Sequence, residues 1–103
     1  MIGTPSKASA SNDVATVTIA ARDTRTYTEI RQIIFSYSAA PTNGKLTVES
    51  PSGTEILDVD ITAAGCGPII TGFRSPTKGA AVLVKLAAGG SGITGKLTVI
   101  PAE

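Results

Sequence analysis

The sequence predicts an all-β protein: an antiparallel β-sandwich of about seven short strands, jelly-roll or immunoglobulin-like, with an extended N-terminal arm. Three observations carry this. Apolar and polar residues alternate in twos along most of the chain, β-branched Val, Ile and Thr fill the alternating stretches, and Gly, Pro and Asn cluster between them. No segment offers the crossover helices of a parallel sheet, and a small closed barrel is the second architecture the pattern allows.

The elements follow in order. Residues 1–12 are rich in Ser and Ala and form the arm, which has little to bury by itself and is expected to order against a neighbouring surface. Residues 13–103 form the sandwich domain. In "VATVTIAA", Ala15, Val17 and Ile19 share one face while Thr16 and Thr18 share the other. "RDTRT" (Arg22–Thr26) is a polar connection. "EIRQIIFSYS" (Glu29–Ser38) is ambiguous: Ile30, Ile33, Ile34 and Tyr37 fit a helical stripe, and Ile33, Phe35 and Tyr37 fit a strand face. Its β-branched and aromatic content favours the strand.

"APTNG" (Ala40–Gly44) is turn chemistry, with Pro fixing φ and Asn-Gly tolerating positive φ. "KLTVES" then points Leu46 and Val48 inward, and "PSG" (Pro51–Gly53) turns the chain again. "TEILDVDIT" places Leu57, Val59 and Ile61 opposite Asp58 and Asp60. Further strands are expected near Ile69–Phe73, Ala81–Ala87 and Lys96–Ile100, joined by the loops "RSPTKG" and "GGSGITG". The string "GKLTV" occurs at Gly44–Val48 and again at Gly95–Val99, each time after a strand and a loop. Each copy reads as the return strand of a hairpin, with Lys and Thr outward and Leu and Val inward.

At 103 residues the chain is one domain. With 42% apolar and 17% charged residues it folds, and with Tyr27, Phe35, Tyr37 and Phe73 its only aromatics, its core rests on Val, Ile, Leu and Ala. A net charge of +1 gives no general pull toward nucleic acid or an anionic membrane. Histidine is absent, which removes the commonest general base and metal ligand, and the single cysteine excludes an internal disulfide and a Cys-based zinc site. The first residues lack a basic flank followed by an apolar run, and no run approaches a membrane span, so synthesis and folding in a cytoplasm are expected.

Several constellations bear on chemistry. Asp58 and Asp60, at i and i+2 on a strand, project from one face about 6.5 Å apart, in range for paired carboxylates. Nothing nearby would separate their pKa values, so a solvated outer face is the favoured reading, with a weak Ca²⁺ site next. Cys66 in "GCG" has no histidine to activate it and reads as a small filler. "GSGITGK" (Gly90–Lys96) approaches a phosphate loop but has Leu97 where Ser or Thr belongs, and a strand follows instead of a helix. Arg22, Arg25 and Arg31 surround Tyr27, interleaved with Asp23 and Glu29, which favours a solvated face or a subunit salt-bridge site over nucleic-acid contact. Sugar binding would require an exposed Tyr27 or Phe73 beside a polar groove. No catalytic, cofactor-binding or metal-ligating residue is therefore assigned; no cofactor and no enzymatic activity are expected.

The stretch "DVDITAAGCGPIITGFRSPTKGAAVLVKLAAGGSGITGKLTV", with its "LAAGG" loop and "GKLTV" final strand, resembles small virion surface proteins of tailed bacteriophages, of the capsid decoration or cement type. The resemblance covers roughly Asp58–Val99. It implies an all-β structural protein on the capsid surface, made in the host cytoplasm, homo-oligomeric and commonly trimeric, partnered by the major capsid protein or another virion protein, with no nucleic-acid or membrane partner. The alternative is a module binding carbohydrate or a host receptor on a phage tail or fibre.

Overall fold

Alternation in twos is realised as strands throughout. The structure, a computed structural model, describes residues 5–21, 23–50, 53–66 and 70–101, without the side chains of residues 65, 66, 70, 71 and 73. Within these lie β1 (Ser6–Ser11), β2 (Ala15–Ile19), β3 (Glu29–Tyr37), β4 (Gly44–Glu49), β5 (Glu55–Ile61), β6 (Gly65–Cys66), β7 (Ile70–Arg74), β8 (Val82–Leu86) and β9 (Thr94–Pro101). All strand pairs are antiparallel.

The strands form two sheets. In the first the order is β1-β9-β3-β6, with β7 also paired to β3; in the second it is β2-β8-β4-β5. β6 and β7 lie along one edge of β3, β6 against Ser36 and Tyr37 and β7 against Glu29–Ile33, so together they fill a single strand position. Counted that way, the orders become 1-8-3-6 and 2-7-4-5, the jelly-roll arrangement of two Greek keys. The sandwich expected from sequence is present, and strand order selects the jelly roll over the immunoglobulin-like alternative.

The layers meet through one core. Ile33, Phe35, Tyr37, Leu97 and Val99 from the first sheet pack against Ala15, Val17, Leu46, Val48, Val82, Val84 and Leu86 from the second. Burying these aliphatic faces is the main driving force for folding at this size.

Two expectations change. Residues 6–11 of the expected arm are a strand, paired along its length with β9, and Ala8 and Ala10 pack against the core. Ala and Ser alternate there with so little contrast in hydropathy that the period is hidden in the sequence. Second, the GKLTV strands are not hairpin returns. β3 and β4 lie in different sheets, as do β8 and β9, so each copy follows a crossing between layers. The side-chain pattern itself holds: Gly44, Leu46 and Val48, and Gly95, Leu97 and Val99, are buried, while the Lys and Thr residues between them point outward. The favoured strand reading of Glu29–Ser38 holds as β3, and its helix-like stripe is a β-bulge. Against β9, Ile30 pairs with Pro101 and Gln32 with Ile100, leaving Arg31 as the extra residue. The bulge lets Ile30 and Ile33, three apart, face the same core.

Candidate functional site

At one end of the sandwich the β2–β3 loop and the β7–β8 loop are bound to each other by buried hydroxyls. Ser75 N–H donates to the Thr28 carbonyl at 2.8 Å, and Thr28 N–H donates back to Ser75 Oγ at 3.1 Å. Thr28 Oγ1 donates to the Ala80 carbonyl at 2.6 Å, Ser75 Oγ to the Thr77 carbonyl at 2.8 Å, and Gly79 N–H to the Thr26 carbonyl at 2.9 Å. Thr28 and Ser75 are buried, and short polar side chains suit them to replace absent ladder partners. Nearby, buried Ser50 donates to the Ala81 carbonyl at 2.8 Å.

This frame presents two cations to one ring. The Arg74 guanidinium lies 4.1 Å from the centroid of half-buried Tyr27, and Lys78 Nζ lies 5.9 Å from it. Arg25 is exposed in the same loop as Tyr27, and Arg31 is exposed at the β3 bulge, two residues from Glu29, which is the register partner of Arg74. Asp23 Oδ1 accepts from Arg25 N–H at 2.7 Å and from Thr26 Oγ1 at 3.3 Å, shaping the loop. The arginine cluster seen in sequence is thus joined by Arg74 and Lys78. Only the antiparallel pairing of β3 with β7 brings these in, so spacing alone gave no sign of them. Arg22 lies outside the described residues.

The other sequence candidates separate. Asp58 and Asp60 are exposed on the outer face of the second sheet, and Asp58 is 3.4 Å from Lys45 Nζ. Asp60 borders an open concavity of about 420 Å³ with Pro41, Asn43, Lys45 and Thr62. On the same face Lys85 Nζ donates to Glu49 Oε2 at 3.1 Å, and Gly53 N–H donates to Glu49 Oε1 at 2.9 Å. The Gly53 N–H first, and the Lys85 ammonium second, hold the Glu49 carboxyl below its ordinary range.

The glycine-rich loop 87–93 is bound to its surroundings by its backbone. Thr42 N–H donates to Gly89 O at 2.8 Å, Asn12 N–H to Ile93 O at 3.0 Å, and Ile93 N–H back to Gly90 O at 3.1 Å. The phosphate-loop reading lacks its following helix, since β9 begins at Thr94. The Cys66 thiol and the Phe73 ring lie outside the described side chains.

Fold and surface together define a jelly-roll β-sandwich with a cation–aromatic cluster at one end. No protein-family model matches the chain, and no curated protein matches it. Among solved structures it is similar to the Yersinia pseudotuberculosis-derived mitogen (TM-score 0.55, 13% identity, covering 100% of this chain and 86% of that one). It is also similar to FLHE (TM-score 0.47, 12% identity, covering 99% and 98%). At such identity the likeness to the mitogen establishes a shared fold and nothing about activity.

Proposed function

We propose that the chain is a structural virion protein of the capsid decoration type, acting non-catalytically through contacts with copies of itself and with a capsid shell. The observation that carries this reading is β1. It pairs with β9 on one side only among the described residues, and its side chains, Lys7 apart, are the short ones of Ser and Ala. An open edge of this kind suits strand addition by a neighbouring chain. Val14, just beyond it, is 48% exposed and adds apolar surface beside the edge. Jelly rolls recur in viral shells, and the resemblance of residues 58–99 to phage virion proteins points the same way. The role places the protein on the particle surface, assembled as a homo-oligomer, for which the resemblance favours a trimer.

Analytical ultracentrifugation, with co-sedimentation on expanded tailed-phage capsids stripped of their own decoration proteins, tests the proposal. An oligomer that binds such shells is expected; a strict monomer that binds none overturns it.

The second reading is a carbohydrate- or receptor-binding module on a tail or fibre, favoured by the partial exposure of Tyr27. Against it, Arg74 already occupies the ring at 4.1 Å, where a sugar would stack. A glycan array without hits removes it.

A further inference from the structure

The two outer faces of the sandwich carry opposite charge. Burial alternates along β1, β2, β4, β8 and β9, and register extends the outward faces to exposed residues of β3, β5 and β7. On the first sheet they include Lys7 of β1, Lys96 of β9, Arg31 of β3 and Arg74 of β7, against Glu29 alone, a net of +3. On the second they include Glu49, Glu55, Asp58 and Asp60, against Lys45 and Lys85, a net of −2.

The pairing differs as well as the sign. Both lysines of the second face are already engaged, Lys45 with Asp58 and Lys85 with Glu49. Glu55 and Asp60 are left without an ion pair among the described residues. On the first face Lys7, Arg31 and Lys96 likewise have none. Around these charges both faces carry short hydroxyl side chains: Ser9, Ser11, Ser36, Thr94 and Thr98 on the first, Thr16, Thr18 and Thr47 on the second. Short polar side chains let two sheets approach without clashing, and beside them stand the half-buried Ile34 and Ile100 of the first face and Leu83 of the second.

We propose that copies of this chain associate front to back, the positive outer face of the first sheet of one against the negative outer face of the second sheet of the next. The occupant is a second copy because the chain itself supplies both complementary surfaces. The faces point in opposite directions, so the contact is heterologous and closes as a ring or continues as a stack. Such an interface is polar and hydrated, and its attraction is spread over several exposed charges, so it is sensitive to salt. The inference rests on the self-assembly part of the role proposed above and is independent of any particle.

The experiment is sedimentation velocity on the full chain without capsids, from low to high salt, with two double variants. Lys7→Glu/Lys96→Glu makes the first face negative, and Glu55→Lys/Asp60→Lys makes the second positive; all four residues are exposed and outside the ion pairs named above. Expected is association of the unmodified protein that weakens about tenfold or more between roughly 0.05 and 0.5 M salt. Each double variant alone should sediment as a monomer, and an equimolar mixture should associate again, because each contributes one native face.

Association indifferent to salt and to either variant overturns the proposal, as does an unmodified protein that is monomeric at low salt. A mixture that stays monomeric while circular dichroism shows both variants folded also overturns it. Should one variant fail to fold, the single substitutions Lys96→Glu and Asp60→Lys replace the pairs in the same mixing test. Capsid co-sedimentation is read separately, so a protein that self-associates but ignores capsids sinks the virion role and leaves this inference standing.

Discussion

The two ends of the sandwich face the same mechanical problem and solve it with different chemistry. At the end holding the β2–β3 and β7–β8 loops, buried hydroxyls of Thr28, Ser50 and Ser75 hold the connections to carbonyls and amides. At the opposite end, the β3–β4 and β8–β9 crossings lie together through missing side chains. A Cβ on Gly44 would stand 2.7 Å from the Ile61 carbonyl, and one on Gly89 would stand 2.6 Å from Ile93 Cγ2 and 2.9 Å from Tyr37 Cδ1. Asn43 there adopts φ of 61°, and Tyr37 closes the gap by donating to the Ala87 carbonyl at 2.7 Å. One end is thus sensitive to added volume, the other to lost polarity.

The largest effect should come from volume at the glycine end. Gly44→Ala drives a methyl against the Ile61 carbonyl, a backbone atom of the adjoining strand that cannot swing aside, and against the Pro41 ring. A cost of about 3 kcal/mol follows from overpacking of this kind, read as a lower urea midpoint with unchanged slope. A melting point that barely moves would show that the two crossings are looser than their contacts suggest.

Next comes polarity at the hydroxyl end. Ser75→Ala strips the Thr28 amide and the Thr77 carbonyl of a partner in a buried setting, at a cost of about 2 kcal/mol. The arrangement of Lys78 and Arg74 about Tyr27 depends on that loop, so the tyrosine's fluorescence and near-ultraviolet dichroism should change with it. The same Ser→Ala change at exposed Ser9 is the control and should cost less than about 0.5 kcal/mol.

The contrast between the ends also marks where sequence reasoning reached and where it stopped. All seven strands expected from alternation are present, because Val17, Leu46, Val84 and Leu97 repeat inward every second residue and that period is local. The Asn43 turn was equally visible, since Asn-Gly after Pro announces positive φ. β1 was hidden because Ala8 and Ala10 barely differ from Ser9 in hydropathy. The β3 bulge disguised itself as a helical stripe because one extra residue turns a spacing of two into three. The cation–aromatic cluster was half seen. Arg25, Tyr27 and Arg31 are neighbours in sequence, but Arg74 and Lys78 arrive only through pairing across more than forty residues of chain. Nor does Ser75 look different from any loop serine until Thr28 is folded against it.

Removing a single hydroxyl at the glycine end gives a smaller effect. Tyr37→Phe leaves the ring between Gly89 and Gly95 and loses the hydroxyl's bond to Ala87 and its Lys45 backbone contact, about 1 kcal/mol. Burial raises the Tyr37 phenol above its ordinary value, more than the Lys45 backbone contact lowers it. The folded state therefore holds this proton more tightly than the unfolded chain does. The stability this confers is whole below the ordinary phenol range and is lost as pH rises through it toward the folded value. Tyr37→Phe should flatten that alkaline decline. A decline of unchanged steepness would assign it to other groups.

Glu49 provides the acidic counterpart, at the end of β4 next to Ser50 of the hydroxyl end. Its carboxyl is held below the ordinary range, so the unfolded chain binds the proton more readily than the folded one. The stabilisation is present above the ordinary carboxylate range and disappears as pH falls through the depressed value, and Glu49→Gln should remove this part of the acid sensitivity.

The smallest effect is expected where the two ends exert least control, on the exposed pair Lys45–Asp58. Their side chains are 43% and 46% exposed, and at 3.4 Å in water the attraction is offset by the entropy of holding two mobile side chains together. Asp58→Asn should therefore change stability by less than about 0.5 kcal/mol, and added salt should not enlarge the difference. Lys45 also anchors the glycine end through its backbone, since its carbonyl accepts the Ala87 N–H at 2.8 Å. A loss well above that bound on Asp58→Asn would mean that the ion pair fixes the Lys45 backbone at the crossing. The glycine end would then depend on charge as well as on close fit, and the division between the two ends would fail.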